Sequence, residues 1–136
     1  MPRLRLAPVR SPVLRTILLV WLIIAVSLTH YYALFAQPHS WLLPAIISRP
    51  DLVFHLVAFE ALALPAFLLW RPAVAVAAGL VALAGMIELL QVAMPEREAS
   101  FADLAAGGAG IALGALTAIV VLELGVRWAG AFAEAD

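Results

Sequence analysis

The chain has 136 residues, 65% hydrophobic and only 12% charged, with a mean hydropathy of +1.06, against the roughly 25% charged residues of a soluble domain. That balance excludes an ordinary water-soluble fold and predicts an all-α, polytopic membrane protein, a single membrane domain over residues 1–136. A formal net charge of -1 without any basic stripe excludes a nucleic-acid partner, and the lack of cysteine excludes disulfides, thiolate nucleophiles and sulfur-bound metals.

Residues 1–15 carry Arg3, Arg5, Arg10 and Arg15 with no acidic residue, and prolines at 2, 8 and 12 oppose a regular helix there. A short basic tail is expected. The first span is expected over 16–36, long enough at 1.5 Å per residue to cross a hydrocarbon core of ~30 Å. Secretory signals also open basic then apolar, but Leu34, Phe35 and Ala36 match a small-residue cleavage site poorly, so the run is read as a retained span. Residues 37–50 hold Pro38, His39, Trp41, Pro44, Arg49 and Pro50 around an apolar patch from Leu42 to Ile47. The patch is too short to span and reads as an interfacial or re-entrant segment anchored by Trp41.

A second span is expected over 52–70, with Asp51 as N-cap and Pro65 as a kink. After a tight turn at Arg71 and Pro72, the third runs over 73–94, where Gly79 and Gly85 invite close packing. The fourth covers 101–122, and Glu123, Arg127, Trp128, Glu134 and Asp136 mark an exit into a short tail. The whole is a four-transmembrane-helix bundle.

Orientation follows from the arginines, because the chain has no lysine. With four spans, one face collects Arg3, Arg5, Arg10, Arg15, Arg71 and Arg127 and the other only Arg49 and Arg97, so both termini are expected in the cytoplasm. Asp51, His55, Glu88, Gln91, Arg97, Ser100 and Asp103 then gather near the extracytoplasmic face, on three different helices.

Asp51 and His55 stand four apart at a helix start, where the carboxylate can orient the imidazole; the plainer reading is a cap beside a headgroup-depth histidine. Glu60 lies near mid-membrane, as a site group or as a neutral packing carboxyl. Glu88 and Gln91 share a face of the third span, with Arg97 the nearest cation in sequence. Glu96 and Glu98 read as solvated. Pro95 ends the third helix and Ser100 caps the fourth, its hydroxyl meeting the backbone donor near Asp103, a capping box in outline. Asp103, Gly107, Gly110, Gly114 and Thr117 form one stripe, read as a packing seam that presses Asp103 against the helices carrying Glu88 and His55. His30 and His39 read as interfacial side chains.

Taken together, Asp51 and His55 opening one span, Glu88 and Gln91 ending the next, then Pro95, Arg97, Ser100 and Asp103 with glycines at 110 and 114, resemble the VanZ-like family of small bacterial integral membrane proteins. The resemblance covers about Asp51 to Gly114, and departs at Leu52, Glu96 and Gly107, where that family usually carries Lys, Gly and Asn. It implies cell-envelope biology in the bacterial cytoplasmic membrane, and a link to resistance against the glycopeptide teicoplanin.

Two functions follow as expectations. One is a non-enzymatic envelope protein whose outward-facing polar pocket holds a lipid or lipid-linked envelope precursor by its headgroup, with Arg97 as anion donor and His55, Glu88 and Asp103 as frame. The alternative is a membrane-embedded hydrolase or transferase with His55 and Glu88 or Asp103 as acid and base. Against the enzyme stands the lack of a nucleophile, Ser100 being better explained as a cap. Conduction of protons or ions through Glu60 and Glu88 is a fainter third. No metal or cofactor is assigned: His55, Glu88 and Asp103 would make plausible hard ligands that could rescue the enzyme reading, but the sequence does not establish that they assemble.

Overall fold

In hydrocarbon a backbone N–H or C=O finds no water, so a segment that crosses must bond its own main chain, and the helix does so completely. The computed structural model describes residues 9, 11–34, 50–70, 72–94 and 99–133. They form four helices, α1 Pro12–Leu34, α2 Pro50–Leu69, α3 Ala73–Val92 and α4 Phe101–Ala133, each long and apolar enough to span a membrane. The protein is an all-α, multi-pass membrane bundle. The segment read as interfacial, with His39 and Trp41, lies outside the described residues, as do Arg71, Arg97 and most of the basic tail.

Two helix ends differ from the sequence reading by a turn or more. α1 begins at Pro12, four residues before the expected Thr16, because Ser11 caps it: the Leu14 N–H reaches Ser11 Oγ at 3.4 Å and the Arg15 N–H reaches the Ser11 carbonyl at 3.0 Å. A proline at the first helical position loses no bond, since that N–H has no partner within the helix in any case. α4 continues unbroken to Ala133, eleven residues past the expected end at Leu122. No proline follows Leu122, so Glu123 and Arg127 lie on a continuing helix and not on a tail. A helix of 33 residues is about 50 Å long, more than the hydrocarbon needs.

α2 is the centre of the bundle. It packs on α1, α3 and α4, and 39% of its span is buried inside the protein against 6% of α1. Phe59, Leu62, Ala63 and Ala66 of α2 meet Ala25 of α1, Leu80, Ala84 and Ile87 of α3 and Ile111 of α4 in one small core. Large apolar side chains such as Ile23, Val74, Leu89 and Leu116 point outward, as lipid-facing residues should where the solvent is as apolar as the core. Lipid-facing hydroxyls are satisfied within their own helices: Ser27 Oγ donates to the Ile23 carbonyl and Thr117 Oγ1 to that of Leu113.

The tightest joint is between α2 and α4, which run parallel. A Cβ on Gly110 would overlap the Leu56 carbonyl oxygen, and one on Gly114 would lie 2.6 Å from the Ala63 Cβ and 2.9 Å from the Leu64 nitrogen. Gly107 faces the Phe59 ring at 3.0 Å by the same measure. Only absent side chains let the two backbones come this close. α1 runs antiparallel to α2, with the Val9 nitrogen 3.5 Å from the Leu68 carbonyl oxygen.

α1 is held by a specific bond as well as by packing. Pro65 has no N–H, so the Ala61 carbonyl one turn earlier loses its helical donor. Trp21 of α1 supplies the replacement, its indole Nε1–H donating to the Ala61 oxygen at 3.1 Å.

Two outcomes are expected from thermal stability measured in detergent. Gly110→Ala loses about 1–3 kcal/mol by overpacking, whereas Gly108→Ala, with nothing within 4 Å of the added atom, changes little. Trp21→Phe loses about 1–3 kcal/mol by orphaning a carbonyl in an apolar medium, and that loss shrinks when Pro65→Ala restores the main-chain donor.

Candidate intramembrane polar site

The helices deliver their ionisable groups to one end of the bundle. His55 lies one turn inside the start of α2, Glu88 one turn before the end of α3, and Asp103 in the first turn of α4. Because α2 and α4 are parallel and locked at Gly110 against Leu56, Asp103, two turns back along α4, falls beside the matching turn of α2. One ligand-type atom from each of His55, Glu88 and Asp103 lies within 4.8 Å of the others.

The histidine is oriented through both ring nitrogens. Nδ1 lies 3.0 Å from the main-chain carbonyl of Asp51. A carbonyl can only accept, so Nδ1 carries the hydrogen and Nε2 faces inward. Nε2 is 3.5 Å from Glu88 Oε1. Asp51 therefore does orient the imidazole, but through its backbone oxygen, where the sequence reading expected the carboxylate. Nor is Asp51 the helix cap: α2 starts at Pro50, which puts Asp51 inside the first turn, where its charge suits the helix dipole.

The second oxygen of Glu88 ties α3 to α4. The Ser100 N–H donates to Glu88 Oε2 at 2.7 Å, short as such bonds are when the acceptor is charged. Ser100 caps α4 as expected, its carbonyl taking the Leu104 N–H at 3.1 Å and its Oγ accepting from Ala102 at 3.2 Å, one residue short of the expected donor at Asp103. In a capping box the side chain three positions on would bond the Ser100 N–H; here Glu88 fills that place from another helix. Sequence reasoning missed this tie, because nothing local in the 88–100 stretch signals it.

Of the other expected site residues, Gln91 is 3% and Asp103 6% exposed, both inside the bundle and not against acyl chains. Glu88 and His55 side chains keep 12% and 16% exposure, so the site is reachable from outside. Arg97 lies outside the described residues. His30 is a structural residue, its Nδ1 2.9 Å from the Val26 carbonyl of its own helix.

Fold and site together define a multi-pass membrane protein with an inward-pointing cluster of one imidazole and two carboxylates at one bundle end. Comparison of the chain with protein-family models, with curated proteins and with solved structures finds no match.

The Glu88 tie separates its acceptor role from its charge. Glu88→Ala should lose about 1.5–3 kcal/mol of stability by stranding the Ser100 N–H. Glu88→Gln, whose amide oxygen can still accept that bond, should lose less than half as much in the same melting experiment.

Proposed function

We propose that this chain is a VanZ-like membrane protein of the bacterial cell envelope that holds a lipid or lipid-linked precursor by its headgroup at the His55, Glu88 and Asp103 site. The observation that carries the reading is the meeting of those three groups, from three helices, at one end of the bundle. Ionisable side chains within spans are costly to keep and sit where they do chemistry or bind polar ligands. Partial exposure of His55 and Glu88 supports access for a headgroup that stays at the interface while its acyl chains remain in the bilayer.

The arginine asymmetry, six against two, supports a topology with both termini in the cytoplasm and the site facing outward. Two carboxylates repel a phosphate, so a phosphate-bearing headgroup needs a cation beside them. Arg97, which falls between α3 and α4 in the sequence, is the residue we assign to that role, and protection against teicoplanin is the associated phenotype.

One observation favours the second reading, a membrane-embedded hydrolase or transferase. His55 Nε2 and Glu88 Oε1 face each other at 3.5 Å, a spacing from which an acid and a base could serve one substrate.

The headgroup reading is tested in cells and on the purified protein. Arg97→Ala and His55→Ala should abolish protection in a teicoplanin-susceptibility assay with membrane insertion unchanged. Native mass spectrometry should show a lipid retained by the unmodified protein and released by both variants. Unaltered susceptibility together with unaltered lipid retention would refute the assignment, and turnover of lipid in vitro would move it to the enzyme.

A further inference from the structure

The geometry at the bundle end points to a site that the sequence reading left unassigned. We propose that His55 Nε2, Glu88 Oε1 and a carboxylate oxygen of Asp103 together hold one divalent transition-metal ion, with zinc the best match. The proposal goes beyond headgroup binding and does not depend on it.

Three observations support it. The first is spacing. Two ligands bound at about 2.1 Å to a tetrahedral ion stand about 3.4 Å apart. His55 Nε2 and Glu88 Oε1 are 3.5 Å apart, longer than the roughly 2.7–2.9 Å of a charge-assisted N–H···O bond. The candidate ligand atoms of all three residues lie within 4.8 Å of one another, close enough to face a common centre.

The second is the histidine's outer contact. A metal-bound imidazole characteristically donates its other N–H to a carbonyl or carboxylate, which fixes the tautomer and turns the lone pair toward the ion. His55 has that arrangement, with Nδ1 on the Asp51 carbonyl at 3.0 Å and Nε2 toward Glu88. His30 shows that the carbonyl contact alone is not diagnostic, since it has the same bond one turn back but is not among the clustered residues. The combination is what singles out His55.

The third is the state of Glu88. Its Oε2 is committed to the Ser100 N–H at 2.7 Å, while Oε1 is buried and accepts no hydrogen bond among the described residues. A carboxylate anchored by one oxygen and directed inward by the other is a preorganised ligand. Two carboxylates converging on one spot repel when both are ionised, and a dication between them turns that repulsion into attraction.

Imidazole with carboxylates suits zinc and its first-row neighbours, whereas magnesium and calcium prefer shells made wholly of oxygen. Three protein ligands would leave a fourth tetrahedral position open, the pattern of reactive rather than purely structural zinc sites. The bound ion would also make the site attractive to a phosphate.

The test uses the full chain purified in detergent, stripped with a chelator and titrated with zinc alone, with elemental analysis after desalting. The unmodified protein should retain about one zinc per chain, as a preformed site does. Glu88→Gln, which can keep the Ser100 bond and hence the fold, should weaken binding about tenfold or more, and His55→Ala likewise. Glu60→Gln and His30→Ala, a carboxylate and an imidazole elsewhere in the spans, should bind as the unmodified protein does. Cobalt substituted for zinc should give the intense visible bands of a four-coordinate site, lost in Glu88→Gln. Retention far below one equivalent, or equal affinity in Glu88→Gln and the unmodified protein, would overturn the site and leave His55 and Glu88 as an ion pair. Zinc binding without lipid retention would uphold the metal and refute the headgroup reading, so the two fail separately.

Discussion

The approach of α4 to α2, backbone against backbone, is the constraint on which the rest of the structure depends. At Gly110 and Gly114 there is no room for a methyl group between α4 and the Leu56, Ala63 and Leu64 atoms of α2. In a bilayer the lipid tails are as apolar as leucine, so helices gain little by hiding hydrocarbon from their surroundings. Close packing has to supply the association, and small residues allow the closest packing. The same contact sets the register of two parallel helices, and register decides which polar side chains meet. With α4 displaced by one turn, about 5.4 Å, Asp103 would no longer share a centre with His55.

The medium also explains why main-chain groups that lose a helical partner are answered from a neighbouring helix. Where Pro65 removes a donor from α2, the Trp21 indole of another helix replaces it at the Ala61 carbonyl. Where Ser100 opens α4, its N–H is answered by Glu88 from α3. Each of these bonds crosses between helices, so satisfying a polar atom and joining two elements are one event. Orphaned groups are far more expensive here than in water, which makes such cross-links worth more than their number implies. Glu88 combines both duties, one oxygen holding the helix joint and the other facing the imidazole.

Much of this was legible from residue order. Four apolar runs separated by prolines and charges predict four helices, and the interval from Asp103 through Gly107, Gly110 and Gly114 marks one helix face. The start of α1 was readable too, because a serine followed by proline is a helix-opening signal; three prolines in the first twelve residues obscured it. Other features were not legible. Asp51 reads as a cap whose carboxylate could orient His55, and only the backbone shows that its carbonyl, one turn from His55, takes the imidazole N–H. Nor does any local pattern link Trp21 to Ala61, forty residues away.

By itself the sequence determined the solvent, the helix count and the kinds of chemical group available, because these follow from composition and from periodicities confined to one helix at a time. The tertiary structure alone decided which groups face one another and through which atoms: Nε2 toward Oε1, Nδ1 toward a backbone carbonyl, Ser100 toward Glu88. The physical reason is that helix spacing sets where a side chain sits around its own axis. Its neighbours depend on the rotation and sliding of whole helices, which packing at Gly110 and Gly114 fixes and which no single helix encodes.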